Sequence, residues 1–142
     1  MKKTVWQKRR QSAFSYFAVF LPIIFYILIY QQFPSFFNFQ LHTNILILLI
    51  VSPILEELTF RGLLQNLILR YSNSYVFTII LVNFAFVALH YSVNRHILYM
   101  LAIFICGIIF SVIKVYYKKI VFPIIVHVYY NLCFIVFIKF IH

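Results

Sequence analysis

The two acidic residues of the chain, Glu56 and Glu57, are adjacent and lie within an apolar stretch. Arg61 follows Glu57 by four residues, so on a helix the two share a face and can form an ion pair. Glu56 points about 100° away from its neighbour and is expected to have no partner in its own helix. An unpaired carboxylate in an apolar setting is a candidate general base that accepts a proton from water. Glu57 is its only competitor, because the chain contains no other acid.

A structural ion-pair cluster is the alternative interpretation of these charges. It explains Glu57 and Arg61 but gives Glu56 no role, although each ionisable group within a membrane costs about 2.5–3.5 kcal/mol on insertion. Pro53 precedes the acidic pair, and a proline inside a helix removes one backbone hydrogen bond and bends the axis. In an α-helix the carbonyl of Leu49 would be left free, and the bend would open a polar cavity beside Glu56.

Two of the five histidines, His90 and His127, also lie in apolar segments, and Asn131 follows His127 by four residues. Depth is measured here from the end of each segment that faces the cytoplasm when the N-terminus is cytoplasmic. At the rise of an α-helix, Glu56 and His90 lie about 21 and 22 Å from that end. His127 and Asn131 lie about 12 and 18 Å from theirs by the same measure. Phe86 shares a helix face with His90. The polar groups therefore fall in one band within the membrane, where they can line a single pocket.

The composition places these residues in a membrane. Hydrophobic residues make up 65% of the chain and charged residues 10%, whereas soluble domains carry about 25% charged residues. We therefore predict an all-α, polytopic transmembrane helical bundle that forms one integral membrane domain over residues 1–142. Its length allows about five spans of roughly 20 residues each. The apolar segments predict spans at residues 14–30, 44–69, 75–91, 97–113 and 120–138.

The formal net charge of +10 indicates orientation rather than a nucleic-acid partner. Lys and Arg residues lie at the segment ends, and no pattern of alternating aromatic and basic residues supports nucleic-acid binding. With the N-terminus in the cytoplasm, only Arg95 and Lys139 fall outside, and the lipid bilayer is the expected partner. The basic residues then assigned to the cytoplasmic side are Lys2, Lys3, Lys8, Arg9, Arg10, Arg70, Lys114, Lys118 and Lys119.

Gly107 and Ser111 form a small-xxx-small pair in the fourth predicted span. Such pairs let two helix backbones approach closely in a membrane. The pair predicts either a helix contact within the monomer or a dimer face.

Three motifs identify a family. EELTFRG matches the pattern EExxxR, FVALH matches FxxxH, and HVYYN matches HxxxN. Together, in this order and on successive predicted spans, they resemble the CAAX-protease and bacteriocin-processing family of intramembrane proteases, also called the Abi family. The resemblance covers about residues 45–137 and leaves out the first predicted span.

The resemblance implies a role for each matched residue in peptide-bond hydrolysis without a covalent intermediate. Glu56 is expected to activate water, assisted by His90. His127 and Asn131 are expected to stabilise the developing oxyanion. Support of the site is implied for three further residues, Glu57, Arg61 and Phe86.

Several alternatives remain open at this level. Glu56, His90 and His127 are acceptable Zn²⁺ ligands, but the HExxH pattern is absent and a metal-free site is favoured. The richness in Phe, Ile, Tyr, Lys and Asn indicates a bacterial plasma-membrane protein. A bacterial chain of this size resembles the branch of the family linked to bacteriocin self-immunity or peptide maturation, acting on a peptide or membrane protein. A non-enzymatic immunity or regulatory protein that binds a bacteriocin or its receptor is the main alternative. A proton- or ion-coupled transport component is a third, although no internal repeat supports it.

Overall fold

The computed structural model describes residues 20, 46–91 and 97–141, with side chains as far as residue 136. Within these residues every regular element is helical, so the predicted all-α class is confirmed. The first predicted span, 14–30, lies outside the described residues apart from residue 20. Helix α1 consists of four consecutive segments, Ile47–Val51, Ser52–Glu57, Leu58–Leu64 and Gln65–Ser72. Three further helices follow: α2 (Tyr75–His90), α3 (Ile97–Tyr117) and α4 (Val121–Ile141). The features discussed below lie in the compact unit Gln40–Leu132.

Two stretches of α1, Ile47–Val51 and Leu58–Leu64, are π-helical. In the first, the backbone N–H of Ser52 donates to the carbonyl of Ile47, five residues earlier. Each π-helical stretch changes the direction in which the following side chains point, and such stretches often accompany functional sites. Arg61 lies in the second stretch, immediately after the acidic pair.

Pro53 explains how the first π-helical stretch is completed. In the same five-residue register the next hydrogen bond would join Pro53 to the carbonyl of Leu48, but proline has no N–H to donate. The side-chain amide of Asn131 in α4 donates to that carbonyl instead, with Nδ2 at 3.0 Å from the oxygen. The carbonyl that lacks its backbone donor at Pro53 is that of Leu48 in this register, whereas α-helical spacing predicted that of Leu49.

The turn between α1 and α2 is built from local polar groups. Asn73 has a left-handed backbone with φ of 52° and ends α1, a position where asparagine is tolerated. Ser74 then caps α2 by accepting a hydrogen bond from the backbone N–H of Phe77. These caps place the break between helices close to the boundary expected between the second and third spans.

The core of the bundle lies where α1, α2 and α3 meet. Phe60, Val82 and Phe86 are buried there, with Leu64, Ile68 and Ile103 packed against them. The rings of Phe60 and Phe86 meet edge to face, with centroids 5.2 Å apart. This contact brings the segment carrying the acidic pair against the helix that carries His90.

The outer surface is apolar, the reverse of a protein that folds in water. Leu63, Val76 and Ile97 are each at least 65% exposed, and many other large apolar side chains point outward. Helix α3 is long and apolar enough to cross a membrane, and α2 and Val121–Val136 are shorter apolar helices. Lipid is a favourable environment for such a surface, whereas water would favour its aggregation.

Candidate active site

A buried ion pair anchors the site. Nη1 of Arg61 lies 3.1 Å from Oε1 of Glu57, and both side chains are fully buried, so the pair expected from their spacing is present. The other terminal nitrogen, Nη2, donates to Oδ1 of Asn83 at 3.3 Å and to the carbonyl of Gly107 at 3.1 Å. A buried charge is tolerated only when it is paired and hydrogen-bonded. Arg61 meets that condition by bonding to three helices.

Aromatic rings enclose the guanidinium group of Arg61. Its central carbon lies 4.2 Å from the centroid of Phe86, and the rings of Phe110 and Phe60 lie at 5.4 and 5.9 Å. These distances allow cation–π attraction, which strengthens where water is excluded. Phe86 therefore supports the site by packing against the cation, while Phe110 is a contributor that the sequence motifs do not reveal.

Further polar side chains extend the cluster along α3. Asn83 donates from Nδ2 to the carbonyl of Ile79 at 2.7 Å and to the hydroxyl of Ser111 at 3.2 Å. Gln65 donates to the carbonyl of Ser111 at 3.3 Å. Gln65 lies outside the three motifs, although a residue four positions after Arg61 shares its face on an α-helix. Gly107 and Ser111 thus serve helix contacts within the chain.

Gly107→Ala is expected to destabilise the protein by about 2–4 kcal/mol, because overpacking and broken buried hydrogen bonds add together. A Cβ at this position would lie 2.1 Å from Oδ1 of Asn83 and 3.1 Å from Nη2 of Arg61. Both groups would have to move, and Arg61 would lose bonds to α2 and α3. Thermal unfolding in detergent micelles measures the effect.

Gly62→Ala is the matched control, since Gly62 is the other glycine of the chain and also lies within a helix. A Cβ there meets its nearest atoms at 3.7 and 4.0 Å, which is ordinary contact. The free energy of unfolding of Gly62→Ala should stay within about 1 kcal/mol of the wild-type value. Equal stability of the two variants would contradict the importance of the close approach at Gly107.

His127 is held between Glu57 and an aromatic ring. Its Nδ1 lies 2.9 Å from Oε1 of Glu57, and Phe110 stacks on the imidazole with centroids 4.7 Å apart. Because an ionised carboxylate can only accept, Nδ1 carries the hydrogen and Nε2 of the neutral ring is an acceptor. That Nε2 lies 3.8 Å from Oε2 of Glu56. Glu57 thus sets the orientation of His127 while it also binds Arg61.

His90 has the same arrangement from another helix. Its Nδ1 lies 2.9 Å from the backbone carbonyl of Phe86, so this nitrogen donates and Nε2 is free to accept. Nε2 lies 3.8 Å from Oε2 of Glu56, the same separation as for His127. The ring of Phe86 lies beside the imidazole, with centroids 4.6 Å apart.

Glu56 has two oxygens in different environments. Oε1 accepts a hydrogen bond from the hydroxyl of Ser52, so the expectation that Glu56 has no partner in its own helix is wrong. Oε2 is buried, accepts no hydrogen bond within the described part of the chain, and faces both histidines. At 3.8 Å these groups are too far apart to bond directly, but a water molecule can bridge such a gap.

The two glutamates differ in access. The side chain of Glu56 is 17% exposed, whereas that of Glu57 is fully buried, with Oε1 bound to both Arg61 and His127. Asn131 lies nearby on α4 but uses one amide N–H on the carbonyl of Leu48. Its second N–H is the one left for a ligand. The structure therefore brings Glu56 and both histidines together and gives Asn131 a contact in the helix backbone.

The separations between Glu56 and the two histidines are wider than those of zinc ligands. Ligands at about 2.0–2.1 Å around tetrahedral Zn²⁺ lie about 3.3–3.4 Å from each other. The two separations between Glu56 and the histidine nitrogens are wider, at 3.8 Å each. Within the described residues, no three His, Cys, Asp or Glu side chains are grouped to hold a metal ion. These side chains do not fit a zinc site as they stand.

A comparison with models of protein families shows to which family this chain belongs. Residues 38–133 match the model described as type II CAAX prenyl endopeptidase Rce1-like. The chain belongs to the Rce1-like family. The resemblance inferred from the three motifs is thereby confirmed, and the match includes helices α1 to α3 and the part of α4 that carries His127 and Asn131. Comparisons with curated proteins and with solved structures gave no significant match. At the level of the family, this match supports a membrane-embedded CAAX-type endopeptidase.

Proposed function

We propose that this Rce1-like protein hydrolyses a peptide bond in a membrane-associated peptide or protein, with Glu56 as general base. The convergence of both histidine Nε2 atoms on Oε2 of Glu56 carries the proposal. Each glutamate has one oxygen without a hydrogen-bond partner in the described region, but the side chain of Glu56 is 17% exposed whereas that of Glu57 is fully buried. A water molecule placed among these acceptors donates to Glu56 and to one histidine, which orients its lone pair toward a substrate carbonyl.

The reaction needs no covalent intermediate. Glu56 takes one proton as the water oxygen bonds to the carbonyl carbon, and the carbonyl oxygen becomes negatively charged. Collapse of this intermediate breaks the carbon–nitrogen bond, and the proton on Glu56 passes to the leaving amine. His127 can donate from Nε2 to the oxyanion when both of its ring nitrogens carry a hydrogen. The second N–H of Asn131 is the other proposed donor.

The proposed setting is the cell membrane of a bacterium, crossed about five times with the N-terminus in the cytoplasm. The apolar outer surface supports contact with the bilayer. A role in bacteriocin self-immunity or peptide maturation, with a peptide or membrane protein as substrate, is proposed from the resemblance of the three motifs to the bacteriocin-processing family. A metal-free mechanism is proposed because the donor separations exceed those of a zinc site.

Hydrolysis by the purified protein in liposomes tests the proposal. Two fluorogenic peptides serve as probes, one with a farnesylated CAAX box and one with the same cleavable sequence anchored by a transmembrane segment. In H₂¹⁸O, a single turnover should place one ¹⁸O atom in the new carboxyl terminus of a cleaved probe. A chelator should leave the rate unchanged.

Two outcomes would contradict this proposal in different ways. Activity that a chelator removes and Zn²⁺ restores would replace the metal-free mechanism with a zinc mechanism. If cells that carry Glu56→Gln remain fully protected against a bacteriocin, the non-enzymatic alternative is favoured, in which the protein acts by binding.

A further inference from the structure

We propose that Ser52 is a positioning residue that orients the Glu56 carboxylate so that Oε2 is its reacting oxygen. The proposal rests on the proposed function, since it assumes that Glu56 is the general base. Ser52 precedes Glu56 by four residues and therefore lies on the same side of α1. Its hydroxyl donates to Oε1 of Glu56. It lies outside the three motifs.

The hydrogen bond fixes which oxygen meets the histidines. A carboxylate has two equivalent oxygens, and rotation about its last bond is loosely restricted. With Oε1 held by Ser52, the other oxygen is turned toward Nε2 of His90 and of His127, at 3.8 Å from each. Without the hydroxyl, the carboxylate would rotate among several orientations, and only some would present an oxygen to the bridging water.

The carbonyl four residues before Ser52 has another donor, so it does not need the Ser52 hydroxyl. A serine within a membrane helix commonly donates to the carbonyl four residues earlier, which for Ser52 is that of Leu48. Asn131 already donates to this carbonyl at 3.0 Å because Pro53 cannot. The hydroxyl of Ser52 is directed toward Glu56 instead. Pro53, Asn131 and Ser52 thus connect the π-helical start of α1 to the catalytic carboxylate.

Infrared spectroscopy tests the contact independently of activity. The chain has only two acidic side chains, so the bands of Glu56 and Glu57 can be assigned from the variants Glu56→Gln and Glu57→Gln. Ser52→Ala should shift the band of Glu56 and leave that of Glu57 in place. Ser52→Thr, which retains a hydroxyl, should restore the wild-type position.

Kinetics on whichever fluorogenic probe the wild type cleaves test the effect on catalysis. Ser52→Ala should lower kcat about 10- to 100-fold, as expected from losing one hydrogen bond to a charged group. KM should stay unchanged, because the hydroxyl binds the base rather than the substrate, and Ser52→Thr should recover most of kcat. Thr59→Val is the matched control, since it removes a hydroxyl from an exposed position of the same helix.

The possible results separate the two proposals. An unmoved Glu56 band, or wild-type kcat in Ser52→Ala while Glu56→Gln is inactive, would overturn the role of Ser52 and leave the proposed function intact. Full activity of Glu56→Gln, or no hydrolysis of either probe by the wild type, would overturn the proposed function and the role of Ser52 with it.

Discussion

Glu56→Gln is expected to lower kcat for peptide hydrolysis by about 10²–10⁴-fold, the usual contribution of a general base. The amide has the same shape as the carboxylate and keeps an oxygen that can accept from Ser52. It cannot take a proton from water at neutral pH. Because Glu56 is not part of the buried ion pair, folding should be preserved. Cleavage of the fluorogenic probes in liposomes gives kcat, and thermal unfolding in detergent gives stability.

Glu57→Gln is the matched control, because it makes the same chemical change at the adjacent position. It removes the charge that pairs with Arg61 and accepts from His127, so its main effect should be lost stability. The contrast between the variants assigns the base. If Glu57→Gln were inactive but stable and Glu56→Gln remained active, the roles of the two glutamates would have to be exchanged.

Arg61→Ala is expected to lower the free energy of unfolding by about 3–5 kcal/mol, as found when one partner of a buried ion pair is removed. Glu57 would be left as a buried charge without its cation, and the carbonyl of Gly107 would lose a donor. The packing of the Arg61 guanidinium against Phe86 would also be lost. Urea or heat unfolding in detergent micelles, followed by circular dichroism, measures the change.

Two further arginine variants sharpen this prediction. Arg70→Ala removes the same side chain from an exposed position of α1 and should change stability by no more than about 0.5 kcal/mol. Arg61→Lys retains the charge but not the planar fork that bonds to three helices, so its stability should lie between those of wild type and Arg61→Ala. Similar losses in Arg61→Ala and Arg70→Ala would contradict a specific role for the buried cation.

Composition and local spacing determined much of this protein in advance. The scarcity of charge indicated a membrane chain of helices, because ionisable groups are costly in lipid. The pairing of Glu57 with Arg61 followed from their four-residue spacing, which an α-helix places on one face. The three motifs in their order indicated the family that residues 38–133 match. These features are local, so they do not depend on how the helices pack.

The orientation of His127 and the partners of Arg61 on other helices were decided only by tertiary structure. Which nitrogen of each histidine faces Glu56 depends on what holds the other nitrogen. For His90 that partner is the Phe86 carbonyl of its own helix, but for His127 it is Glu57 on another helix. The acceptors of Arg61 on α2 and α3 are likewise set by helix packing.

The backbone register of α1 is the other feature that spacing alone did not reveal. A π-helical stretch changes which residues share a face, so α-helical periodicity placed the free carbonyl at Leu49 rather than Leu48. The π-helical register becomes favourable when Asn131 from α4 supplies the donor that Pro53 lacks. Local sequence therefore determined which residues could do the chemistry. Long-range packing decided which of their atoms meet, because those hydrogen bonds join residues far apart in the chain.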